Sequence, residues 1–102
     1  MAEREVRFTE QFFDRLDDLL PQERGADGTP SVTDFLLFDL PTVRDDLATD
    51  FERHTLPTDD PQVRVYVGSG SLLRGFAIYA AIEGEIVEAF WITIDRYEPD
   101  EA

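Results

Sequence analysis

Two arginines and a tyrosine bracket the longest apolar stretch of the chain, LLRGFAIYAAIEGEIVEAFWITIDRY (72–97). Arg74 stands at its start and Arg96-Tyr97 at its end. A third arginine, Arg64, lies on the segment just before it. A guanidinium group presents a rigid fork of donors matched to phosphate or carboxylate oxygens. On neighbouring strands, Arg64 and Arg74 can face each other and form an anion site. The alternative is that each pairs with one of the chain's 23 acids, in exposed ion pairs worth ~0–1 kcal/mol. Tyr97 can donate a proton or stack on a base, or it can close the edge of the core. Phe90 and Trp91 can stack on nucleobases, although mid-strand aromatics more often belong to a core.

Other chemistry is thinly provided. His54, the single histidine, titrates in the right range for acid–base work, but its position also suits a helix C-terminus, where the dipole favours a cation. With one histidine, no Ser-His-Asp arrangement can be argued. There is no cysteine, which removes disulfides and thiolate metal sites. The acid pairs Asp45-Asp46 and Asp59-Asp60 lack the spacing of a Ca²⁺ loop and read as solvated faces. The GSG of 68–70 lacks the lysine and the strand–loop–helix setting of a phosphate-binding loop. No cofactor and no metal are expected.

The elements that must position these residues follow from periodicity. REVRF (4–8) alternates as a short strand with Val6 and Phe8 on one face. Thr9 can cap a helix over about 10–20, with Phe12, Phe13, Leu16, Leu19 and Leu20 at helical spacing and Pro21 closing it. PQERGADGTP (21–30) reads as a loop. Ser31 and Asp34 form a capping-box pattern ahead of a short helix through DFLLFDL, which Pro41 should end or kink. A second helical piece through TVRDDLATDFERH aligns Val43, Leu47 and Phe51. LPTDDP (56–61) reads as the loop that ends the helical half.

From Gln62 the period becomes two. VRVYV (63–67) puts Val63, Val65 and Val67 on one face and Arg64 and Tyr66 on the other. Strands over 73–82 and 85–94 follow, turning at Glu83-Gly84. That turn pairs Phe76 with Trp91, Ile78 with Ala89 and Ala80 with Val87 on one face, and Ala77 with Phe90 and Ala81 with Ile86 on the other; a bulged turn would shift the register. Both faces are largely apolar, so one packs against helices and the other is either covered or a binding surface. The expected fold is α+β: a short first strand, two helical segments, then a three-strand antiparallel run with the helices on one face.

EVRFTEQFFDRLDDL (5–19) resembles the opening strand and first helix of the RelE/ParE toxin superfamily of bacterial toxin–antitoxin systems. RGFAIYAAIEGEIVEAFWI (74–92) resembles its central hairpin, and the order of elements agrees over most of the chain. The resemblance implies a toxin-type component of a toxin–antitoxin pair, with an antitoxin-like partner. In its RNA-cutting form it implies a metal-independent endonuclease in which the RNA's 2′-hydroxyl attacks the phosphate. Arg74 then matches the arginine that opens the central strand. Arg64 is a second cation for the developing charge, and Arg96 and Tyr97 fall where the family's C-terminal catalytic or substrate-contacting residues lie. Lysine, common after the last strand in that family, is absent here, where the chain reads TIDRYEPDEA.

Composition sets the competing reading. The chain has 102 residues, the length of one domain, and all nine of its basic residues are arginines, which leaves a formal net charge of −14. Such a chain has few cations with which to displace counterions from nucleic acid, so DNA is not an expected partner, and RNA is one only for a nuclease. No apolar run reaches a membrane span and MAEREVRF lacks a signal-peptide pattern, so a cytoplasmic location without a membrane partner is expected. The acidity reflects either a habit of the source organism or a surface that meets a basic protein. The alternative function is therefore a non-catalytic acidic interaction module of the same fold, and the missing lysines favour it.

Overall fold

The computed structural model describes residues 4–23, 25–26, 30–68 and 75–95. β1 (Glu5–Phe8) leads directly into α1 (Glu10–Leu19), and Thr9 caps the helix by accepting from the Phe12 N–H at 3.2 Å. Phe12 and Leu16 are buried on its inner face. The helix stops at Leu20, whose backbone is extended (φ −121°, ψ 147°), because the ring of Pro21 disfavours a helical residue before it.

The capping box forms as its pattern predicts. Ser31 Oγ accepts from the Asp34 N–H at 3.1 Å, and Asp34 Oδ2 accepts from the Ser31 N–H at 2.8 Å. Pro41 neither ends the helix nor separates two pieces. A continuous helical path runs from α2 (Val32–Asp34) through a π-helical segment (Phe35–Asp39) into α3 (Leu40–Thr49). The proline ring would meet the carbonyl four residues back in a regular helix. The wider π turn relieves that conflict, and the Leu40 N–H reaches the Phe35 carbonyl instead. The break falls at Asp50 (φ −152°, ψ 69°), ahead of the single turn α4 (Phe51–His54). Val43, Leu47 and Phe51 are all buried, so the apolar stripe survives the break.

One mixed sheet carries the helices, in the order β1-β5-β4-β3-β2. β3 (Val63–Gly68), β4 (Gly75–Glu83) and β5 (Ile86–Asp95) are the expected antiparallel run. β1 joins it parallel to β5, Val6 opposite Val87. The stretch read as a loop at 56–61 begins instead with β2 (Thr55–Pro57), an edge strand antiparallel to β3. An edge position tolerates Pro57, which has no N–H to offer a ladder. The first and second strands therefore occupy opposite edges, and the helical half of the chain crosses one face between them. The fold is α+β, with the helices packed on one face. Among the described residues, no helix is long and apolar enough to cross a membrane.

The hairpin register differs from the expected one. Glu83 pairs with Ile86, so the turn residues are Gly84-Glu85. Gly84 has φ 61°, the positive value that a two-residue hairpin turn demands at its first central position. Ala80 then opposes Ala89, and a bulge at Phe90 shifts the pairing beyond it. Tyr79 opposes Trp91, Ile78 opposes Ile92, Ala77 opposes Thr93 and Phe76 opposes Ile94. An extra residue in one strand reverses which of its positions face the core. Val87 and Ala89 point at the helices before the bulge, and Ile92 does so after it, so Trp91 lies on the face opposite Phe76.

Candidate functional site: an uncovered sheet face

β3 turns its Arg64–Tyr66 face toward the helices. Tyr66 is 7% exposed and packs under the helices, stacked on Phe76 with ring centroids 6.3 Å apart. Val63, Val65 and Val67, the uniformly apolar set, point the other way, and Val67 is 62% exposed. Leu56 on β2, 58% exposed, shares that outer face.

The pairings line these residues into rows across the sheet. Leu56 opposes Val65, Val65 opposes Tyr79, and Tyr79 opposes Trp91. One row of four large side chains thus spans β2, β3, β4 and β5. Val67, Ala77 and Thr93 form the row on one side of it. On the other side run Val63, Ala81, Glu88 and Arg7. Closest to the turn, Glu83, Ile86 and Glu5 make a last row. None of these residues is fully buried, and among the described residues no helix covers them.

The trim of this face is ionic. Arg15 reaches over from α1 where β1 has ended. Its Nε donates to the Ile92 carbonyl at 3.2 Å, and its guanidinium lies 4.6 Å from the Trp91 ring centroid. That contact caps an open carbonyl of the β5 edge and steadies the indole. At the turn end, Arg7 Nε donates to Glu5 Oε2 at 2.5 Å. Arg7, Gln62, Ala81, Glu83 and Glu88 take part in lining an open cavity of about 550 Å³ there. Glu83 and Glu88 make no ion pair among the described residues.

Of the residues singled out for anion chemistry, Arg64 is the one that lies among the described residues, and it faces away from this surface. Arg64 lies opposite Ala80 on the helix side of β3. Its Nε donates to Thr55 Oγ1 at 2.6 Å, and one terminal nitrogen donates to the carbonyls of Thr55 (2.9 Å) and Glu52 (3.2 Å). Thr55 Oγ1 in turn donates to the Phe51 carbonyl at 2.6 Å. Arg64 therefore staples β2 and the end of α4 to β3. Arg74, Arg96 and Tyr97 lie outside the described residues. His54 ends α4 with Nε2 3.8 Å from Asp46 Oδ1, and the Tyr66 hydroxyl donates to Asp46 Oδ2 at 2.5 Å. Burial, and then the Asp46 carboxylate that accepts its proton, push the Tyr66 hydroxyl well above its ordinary range, so it remains a donor. Among the described residues, no three His, Cys, Asp or Glu side chains gather to hold a metal ion.

Sequence reasoning raised an open sheet face as one of two possibilities but missed its members. The signal was present in the unbroken alternation of Val63, Val65 and Val67. The face they would take depended on Tyr66 going inward, and the place of Trp91 depended on the bulge. Comparison with family models, with curated proteins and with solved structures finds no match. The resemblance to RelE/ParE toxins rests on the sequence stretches quoted for it.

Proposed function

We propose that the chain is a non-catalytic interaction module that holds a segment of a basic partner protein against the uncovered face of its sheet. The carrying observation is the row Leu56–Val65–Tyr79–Trp91, a contiguous apolar strip left open on a chain of net charge −14. An exposed apolar face with a polar rim is the usual form of a protein-binding surface. The surrounding acids repel phosphate and attract a basic protein, which would raise its rate of encounter. The reading as a toxin-type RNA endonuclease depends on Arg64, Arg74, Arg96 and Tyr97 acting together on a phosphate. Of these, Arg64 is engaged with Thr55 and Glu52.

A photo-crosslinking residue at position 79, compared with one at exposed Leu37 on the helical side, separates the two readings in the source cell. The module reading expects a basic protein captured at 79 and not at 37, with an association rate that falls steeply as salt is added. Captured RNA at 79, or growth arrest with cleaved transcripts that Arg74→Ala relieves, would favour the endonuclease.

A further inference from the structure

The uncovered face is not uniform along its strands, and the difference defines a ligand. Its middle carries Leu56, Val65, Tyr79 and Trp91, whereas its turn end carries Glu5, Glu83 and Glu88, with Arg7 the only cation there among the described residues. Arg7 is engaged by Glu5, so the field over the open cavity at that end belongs to Glu83 and Glu88. A sheet covered on one face lacks the second helical layer that a sandwich of helix, sheet and helix would have. We infer that this face receives an amphipathic helix from the basic partner, laid along β4, with apolar side chains on the Val65–Tyr79–Trp91 row and its cationic residues over Glu83 and Glu88. This inference rests on the interaction-module reading and adds the shape and polarity of what is bound.

The spacing follows from strand geometry. From Tyr79 to Ala81, beside Glu88, is two residues, and to Glu83 is four, or about 7 and 14 Å at ~3.4 Å per residue. A helix rises ~1.5 Å per residue, so the cations belong roughly 5–9 residues from the central apolar anchor, towards one end only. A second copy of this chain is a poor occupant, because it would bring another −14 within a screening length of ~8 Å.

Trp91 is the only tryptophan, so its fluorescence reports directly on this face. Two synthetic helical peptides of identical composition serve as probes, each with a Leu stripe and two Lys and with no aromatic residue. In one, the Lys pair lies on the stripe side about seven residues from its centre. In the other, it lies on the polar back of the helix at the centre. The first is expected to shift Trp91 emission to the blue and to bind roughly fivefold tighter than the second, the size two exposed ion pairs can supply. Replacing both acids, Glu83→Gln with Glu88→Gln, should erase that preference. Leu56→Glu with Val67→Glu, both at exposed positions, should weaken both peptides roughly tenfold while the circular dichroism of the fold is kept. Equal binding of the two peptides would overturn the polarity and leave the interaction reading standing. Binding of neither would overturn both. A blue shift that grows with protein concentration alone would give the face to a second copy and overturn the inference, as would peptide binding that ignores Leu56 and Val67.

Discussion

The Tyr66 hydroxyl donates to Asp46 Oδ2 at 2.5 Å, and so ties the interior strand β3 to α3 on the covered side of the sheet. A hydrogen bond to a charged acceptor is worth ~1.5–3 kcal/mol, so Tyr66→Phe should lower stability by about that much in urea unfolding at neutral pH. The tyrosine's raised pKa gives this contribution a pH dependence. It is fully present below the ordinary tyrosine value of 10.0 and is lost as pH rises through the higher folded value. The difference in stability between wild type and Tyr66→Phe should therefore shrink on the alkaline side. A difference that grew there would contradict the assignment.

An acid-side counterpart joins the residue ahead of β1 to α4. Arg4 donates to Glu52 Oε1 at 2.8 Å, and this hydrogen bond holds the Glu52 carboxyl below its ordinary range. A depressed carboxyl contributes stability above its unfolded pKa and loses it as pH falls through the folded one. Arg4→Ala should thus reduce stability near neutrality and leave the strongly acidic limit unchanged. The effect should be small, because the Glu52 side chain is 58% exposed and solvent screens the pair. Thermal unfolding across a pH series measures it.

Arg64→Lys separates geometry from charge. A lysine keeps the cation but cannot donate in a fork to Thr55 Oγ1, the Thr55 carbonyl and the Glu52 carbonyl at once. The expected loss is ~1–3 kcal/mol, with amide exchange accelerated first in β2. If Arg64 serves phosphate chemistry instead, the lysine variant should keep its stability and lose RNA cleavage.

Gly84→Ala tests the turn alone. A Cβ there meets nothing within 4 Å, so the cost comes only from φ 61°, about 1–2 kcal/mol for a residue with a side chain. Gly68→Ala should behave differently, because its Cβ would lie 2.9 Å from Tyr66 Cε1 and 3.1 Å from Phe76 Cζ. Chemical shifts of the two aromatic rings should move in the second variant and stay put in the first.

Nucleic acid binding should be poor. With −14 overall, short RNA and duplex DNA should bind weakly at about 150 mM salt, because few phosphates can be neutralised. Tight RNA binding in a salt series at that concentration would sink the charge argument and with it the preference for a protein partner.

Local signals in the chain determined a good part of this architecture. Thr9, the Ser31-Asp34 pair and Leu20-Pro21 act on backbone groups within a few residues of themselves, so the helix starts and the first helix stop were legible. The Phe12–Leu16 and Val43–Leu47–Phe51 stripes, and the change of period at Gln62, were legible for the same reason. What the tertiary structure alone decided depends on partners distant in sequence. Pro41 sits inside a helical path because a π turn absorbs its ring. Thr55–Pro57 is a strand because β3 offers it an edge and Arg64 clamps it there. Trp91 faces outward because one bulged residue, Phe90, reverses the alternation of β5. The polar-looking face of β3 is the buried one, because Asp46 on α3 satisfies the Tyr66 hydroxyl, and this leaves three valines for the open side. The composition of a strand states that it has two faces; which face is covered is settled by what packs against it.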